Sequence, residues 1–305
     1  MTALADPARS ENIPAGVAWM ISTTFCFVAV TGIVRHVGQE LPAPQGAFIR
    51  YALGALLMLP FMGALLRRPP TLRGLGAHAL RGAVHGAGVV LWFYAMARIP
   101  VAEVTALGYV TPLFVTLGAA LFLGESLKLR RLLAVLAGIL GALVVLRPGF
   151  QEIGSGQLAQ LAAAPLFAAS YLIAKRLTSS EDPSVIVGFL SIFVSLAILP
   201  VALTQWVTPS WEAVAWLGLT AVFATAGHFA MTKAFQNAPI TVTQPVQFLQ
   251  LVWATILGIA VFGEPLDPFI LLGGAILVGA ATYIAHRESR AAKRALTPPA
   301  AATKT

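Results

Sequence analysis

Two histidines, His85 and His228, sit inside long apolar stretches of the chain. An imidazole there can accept a hydrogen bond from a solute or shuttle a proton near neutral pH. A neutral His bonded to a neighbouring helix is the competing account. Gln244, Gln247 and Gln250 recur every third residue beside Thr241 and Thr243. At 3.6 residues per turn they form a slowly drifting stripe that must face protein or water. Pro245 removes one backbone donor in that stretch, and Tyr109 stands with Thr105, Thr111 and Pro112 in a corresponding one. Such groups suit a neutral or zwitterionic solute, or serve as glue between helices. Trp92, Tyr94, Tyr171 and Trp253 can stack on a planar solute or simply pack. Arg35 and Lys175 can gate or attract an anionic group, or snorkel to lipid headgroups; Arg50 is a further charge candidate. No Asp or Glu lies well inside an apolar stretch, and Glu125 and Glu264 read as caps or partners of the basic residues that follow them. The sequence holds no Gly-x-Ser-x-Gly, no His-Glu-x-x-His, no nucleotide-binding Gly-x-x-x-x-Gly-Lys and no acidic metal cluster. The single cysteine, Cys26, reads as a small apolar residue. The expectation is therefore no catalytic residue, no cofactor and no metal.

The elements that position these groups follow from composition. Of 305 residues, 58% are hydrophobic and only 10% charged, with a mean hydropathy of +0.81. A soluble globule of this size needs far more charge to clothe its surface, so most of the surface must meet lipid. Ten apolar runs are long enough to cross a bilayer as helices: 15–36, 45–66, 79–98, 102–123, 130–147, 157–175, 185–204, 212–234, 241–262 and 269–286. Pro and Gly punctuate them, and no period-2 alternation suggests a barrel. The net charge of +8 comes from residues scattered between runs, not from the dense patch that nucleic acid requires. With both termini cytoplasmic, 16 of the 20 Lys and Arg fall on the inner side. Arg35, Arg50, Arg98 and Arg147 are left at outer ends. No signal peptide is apparent in the N-terminal tail, 1–14, and the basic tail, 287–305, is read as disordered.

The chain also repeats itself. At an offset of 139, Gly88, Pro100, Gly124 and Glu125 recur as Gly227, Pro239, Gly263 and Glu264; at 140, Phe27 and Pro60 recur as Phe167 and Pro200. His228 lies one helical turn beyond the counterpart of His85. The halves, 15–149 and 150–286, hold five runs each, and an odd number forces the second into the membrane upside down. Two inverted five-helix repeats are a common build of secondary transporters; an integral-membrane enzyme or a non-transporting scaffold is the alternative. Gly138, Gly141, Gly273, Gly274 and Gly279 allow close packing within the chain or in a homodimer.

Thr105-Ala-Leu-Gly-Tyr-Val-Thr-Pro-Leu-Phe leading to Leu-Gly-Glu125, and Thr241-Val-Thr-Gln-Pro leading to Phe-Gly-Glu-Pro265, resemble the EamA-type family of the drug/metabolite transporter superfamily. So does Phe48-Ile-Arg-Tyr51. The resemblance spans 15–286 and implies an all-α integral membrane fold of ten transmembrane helices in the bacterial inner membrane. It also implies export or uptake of small metabolites, with amino acids, riboflavin and S-adenosylmethionine among the family's solutes. Arg50 has only Leu190 at its repeat-equivalent position, so any role of that Arg belongs to one half alone.

Overall fold

In the computed structural model, ten α-helices are found among the described residues, which are 12–38, 40–61, 63, 71–111, 113–115, 117–118, 129–177, 181, 183–237, 246 and 249–296. They are α1 Ile13–Val37, α2 Ala43–Met58, α3 Leu72–Met96, α4 Val101–Gly108, α5 Leu129–Leu146, α6 Ser155–Leu177, α7 Pro183–Thr204, α8 Trp211–Asn237, α9 Leu249–Phe262 and α10 Pro268–Leu296. Each overlies one of the ten apolar runs. The described residues contain no strand, only an isolated bridge between Pro148 and Gln151. Among the described residues, four segments are by length and hydropathy sufficient to cross a membrane: Ile13–Val37, Ser155–Ala174, Ser184–Thr204 and Trp211–Met231. Many large apolar side chains, such as Leu56, Leu140 and Leu196, are left exposed, as a lipid solvent allows.

Helix starts are marked by side chains that take up orphan backbone donors. Asn12 Oδ1 accepts from Ala15 N at 3.1 Å, Thr71 Oγ1 from Gly74 N at 3.1 Å, and Ser210 Oγ from Ala213 N at 3.0 Å. Inside the bundle, hydroxyls donate to carbonyls of their own helix, as Thr31 does to Phe27 at 2.8 Å and Thr105 to Val101 at 2.8 Å. An apolar medium offers them no water, so this local bond removes a penalty.

The packing follows a two-fold pattern. α1 lies on α8 and α3 on α6; α2 lies on both α7 and α8, and α3 also on α7; α5 lies on α10. The repeat residues account for the first two contacts. A Cβ on Gly88 would stand 3.2 Å from Phe167 of α6, and one on Gly227 would stand 2.8 Å from Phe27 of α1. Each half thus supplies a glycine surface on its third helix to a phenylalanine on the other half's first. Gly141 and Gly273 bring α5 and α10 together, a Cβ on Gly141 falling 2.9 Å from the Gly273 carbonyl. Gly138 and Gly274 are likewise occupied within the chain, by Leu113 and Leu251, while Gly279 faces open space.

Candidate transport cavity and its end locks

A cavity of about 30 Å³ opens between α2, α7 and α8, bordered by Arg50, Tyr51, Leu190, Ser191, Thr225 and His228. Its volume suits a water or two, so the helices are drawn together around it. Arg50 is the eighth residue of α2 and lies over the Tyr51 ring, its Cζ 4.0 Å from the centroid. Sequence reading puts this Arg at an outer span end. With Pro42 and Pro44 at its start, α2 places Arg50 about two turns along the helix, where it borders the cavity.

Tyr51 is held from behind. His85, 9% exposed, stands with Nε2 3.0 Å from the Tyr51 hydroxyl and Nδ1 3.0 Å from Ser170 Oγ. A neutral imidazole has one donor and one acceptor, so both nitrogens are occupied and His85 joins α2 to α6 through α3. Phe167 packs edge-on against it at 5.1 Å. His228, by contrast, borders the cavity and is exposed, with Phe27 edge-on at 5.2 Å. The pair Phe167–His85 and Phe27–His228 carries the two-fold pattern into the site. Sequence reading passes over Ser170, a common residue type, and notes Tyr51 only as the end of the Phe48-Ile-Arg-Tyr51 motif. Tyr51→Phe is expected to cost about 1–3 kcal/mol, since it strands a buried imidazole nitrogen. Thermal unfolding in detergent measures it, and a variant as stable as wild type removes His85 from its bridging role.

The other residues picked out by sequence are dispersed. Tyr171 is half exposed and stacks on Phe167 at 6.5 Å. Tyr94 lies away from the cavity: its hydroxyl donates to Ser155 Oγ at 3.0 Å and Arg98 covers its ring at 3.4 Å. Trp92 meets Phe93 edge-on at 5.5 Å, and Tyr109 packs against the same apolar core. Trp253 stacks on Phe25 at 4.8 Å, and its indole N–H is buried without a partner among the described residues. Gln250 is partly buried on α9; Gln244 and Gln247, and the side chain of Lys175, lie outside the described residues.

Two polar clusters close the ends of the bundle. At one, Arg35 of α1 donates to the Met96 and Ile99 carbonyls at 2.7 and 3.1 Å and pairs with Glu264 at 3.4 Å. Glu264 also accepts from Val101 N at 2.9 Å, the first orphan donor of α4, where Pro100 offers no cap. The turn that delivers Glu264 needs glycine: Gly263 has φ +63°, and Glu264 N returns to the Gly258 carbonyl at 2.9 Å. Glu264 is thus a cap, as expected, but its basic partner comes from α1 and not from the residues that follow it. Beside it Arg147, itself at φ 43°, pairs with Asp267. Glu103, only 5% exposed, accepts from Gln157 Nε2 at 3.1 Å; sequence reading passed over it because it stands just inside a run. At the other end His78 of α3 meets Glu181 at 2.6 Å. Arg81, counted from sequence among the inner-side basic residues, is only 7% exposed, with Nη1 donating to the Ile186 carbonyl at 3.2 Å. No group of three or more His, Cys, Asp or Glu among the described residues could hold a metal.

Residues 14–147 and 154–285 each match the model of the EamA-like transporter family. The chain belongs to the EamA-like transporter family. Among relatives of this EamA-like protein, a riboflavin transporter of Vibrio cholerae is 29% identical over 92% of this chain and 95% of its own. An S-adenosylmethionine uptake transporter of Rickettsia felis is 27% identical over 92% and 95%. A solved crystal structure shares the fold, with a TM-score of 0.59 and 18% identity over 93% of this chain and 99% of that one. This EamA-like chain is accordingly a membrane transporter of a small metabolite and not an enzyme.

Proposed function

We propose that this chain is a ten-span secondary transporter that moves a small organic solute by alternating access, with the cavity between α2, α7 and α8 as its binding site. The observation that carries the reading is the cavity itself: polar side chains gathered inside an apolar bundle, at the seam between two halves that pack as a two-fold pair. Polar groups there are costly and point to a solute path. The end clusters act as gates, Arg35–Glu264 with Arg147–Asp267 on the outer side and His78–Glu181 on the inner. Setting aside Arg50 and Arg81, which lie inside the bundle, 15 of the other 18 Lys and Arg fall on the side of both termini. That bias supports cytoplasmic termini in a bacterial inner membrane and halves of opposite orientation. The solute is amino acid-like or heterocyclic; riboflavin and S-adenosylmethionine, carried by the relatives, both contain a fused nitrogen ring system.

Counterflow in proteoliposomes, with riboflavin, S-adenosylmethionine and a panel of amino acids and nucleobases, tests the reading. Exchange of a panel member without ATP is the expected result. Strict dependence on ATP, or no exchange with any solute, overturns it.

A further inference from the structure

Four arginines have a buried Nε with no partner among the described residues, Arg35, Arg50, Arg81 and Arg147, and they divide into two kinds. Arg35 and Arg147 each have a carboxylate, Glu264 and Asp267. Arg50 and Arg81 have none among the described residues. Arg50, partly buried, lies over the face of Tyr51. Arg81, more than nine-tenths buried, has a single bond to a backbone carbonyl. The ionisable groups that face them are Tyr51, Tyr171, His85 and His228, none of which supplies a negative charge near neutral pH. A guanidinium stays protonated at any working pH. Charge in a weakly polar interior is expensive unless an opposite charge meets it. Arg50 at the cavity and Arg81 behind Tyr51 therefore favour an anion there over a neutral group.

We propose that the cavity binds an oxyanion carried by the solute, a carboxylate or a phosphate, with the Arg50 guanidinium as its counter-ion and Arg81 adding to the positive field behind Tyr51. This inference rests on the proposed transport site. Arg50 presents a planar fork suited to such groups. Tyr51, fixed by the His85–Ser170 bonds, holds the guanidinium by its ring and leaves the charge unneutralised. The repeat sharpens the geometry. Leu190, the counterpart of Arg50, borders the same cavity, with Val187 near it. The cation stands on one wall only, and the facing helices add apolar Val187 and Leu190 with the neutral polar Ser191 and Thr225, so the site orients a solute with its anionic end toward α2. A solute without an anionic group leaves the guanidinium charges unanswered, whereas a zwitterion meets Arg50 with its carboxylate.

The test is ligand-dependent thermal stabilisation of the purified full-length protein in detergent, with benzoate, phenyl phosphate and the neutral benzamide as probes at matched ionic strength. Benzoate or phenyl phosphate is expected to raise the unfolding midpoint while benzamide does not, and the stronger of the two anions distinguishes carboxylate from phosphate. Arg50→Gln should weaken that response on the order of tenfold or more, the size of a lost charge-assisted bond. Arg50→Lys should retain part of it. Because it removes an unpaired cation, Arg50→Gln without ligand should be at least as stable as wild type, which separates lost binding from lost folding. Equal stabilisation by benzamide, no stabilisation by either anion, or an unchanged response in Arg50→Gln would each overturn the proposal. Binding without counterflow would fail the transport reading and leave this one standing.

Discussion

Glu264→Ala is expected to lower the stability of the folded protein by about 2–3 kcal/mol, combining a lost helix-start acceptor with a stranded polar partner. The carboxylate does two things at once. One oxygen takes the Val101 N–H at the start of α4, and the other faces Arg35. Arg35 retains the Met96 and Ile99 carbonyls when Glu264 is gone, which limits the damage. Glu264→Gln keeps an acceptor for Val101, so its cost should stay within about 1 kcal/mol. Burial raises the carboxyl pKa above its ordinary 4.5, outweighing the Val101 bond and the Arg35 charge that lower it. A carboxyl raised in the folded state is stabilising in its protonated form. Wild type should therefore gain stability relative to Glu264→Gln as the pH falls through the raised value toward about 4.5. Thermal midpoints of the three proteins across pH 4–7 measure this. Equal losses for Ala and Gln would remove the capping role; a relative loss for wild type on acidification would reverse the sign.

A larger effect is expected where α3 crosses α7. A Cβ at Gly82 would stand 2.7 Å from the backbone carbonyl carbon of Phe193 and 3.1 Å from its Cα, and one turn on a Cβ at Gly86 would meet Ile198 at 3.1 Å. A flexible side chain can swing away, but backbone cannot, so the helices must part. Gly82→Val should cost about 3 kcal/mol, the upper part of the usual overpacking range. Gly279→Ala, with open space around it, is the matched control and should be neutral or slightly stabilising through helix propensity. If Gly82→Val unfolds at the wild-type midpoint, the α3–α7 crossing is looser than the structure has it.

Much of this was legible in the residues themselves. The helices were, because lipid demands long apolar runs and because Pro and Gly stop them at recognisable places. The Gly263–Glu264 pair was also legible as a feature, though its reason was not: a left-handed glycine aims the carboxylate at a helix start that lies 163 residues earlier in the chain. The site was read less well. His228 borders the cavity, but His85 is a bridge between hydroxyls. Tyr94 belongs to an end turn with Arg98. Arg50 borders the cavity, which its place within one run does not reveal. What one chain's pattern cannot encode is which side chain of another helix stands opposite.

The exchanged glycine–phenylalanine contacts have a consequence for ancestry. Gly88 meets Phe167 and Gly227 meets Phe27, so neither half satisfies its own knob or its own hole. A half-length polypeptide carrying both features would complete itself only against a second copy, each molecule donating a phenylalanine and receiving one. Fusing two such genes would have left the interface untouched while freeing its two sides to diverge. Arg50 and its repeat counterpart Leu190 border one cavity, and a charge that a symmetric pair must carry twice would, after such a fusion, be needed only once.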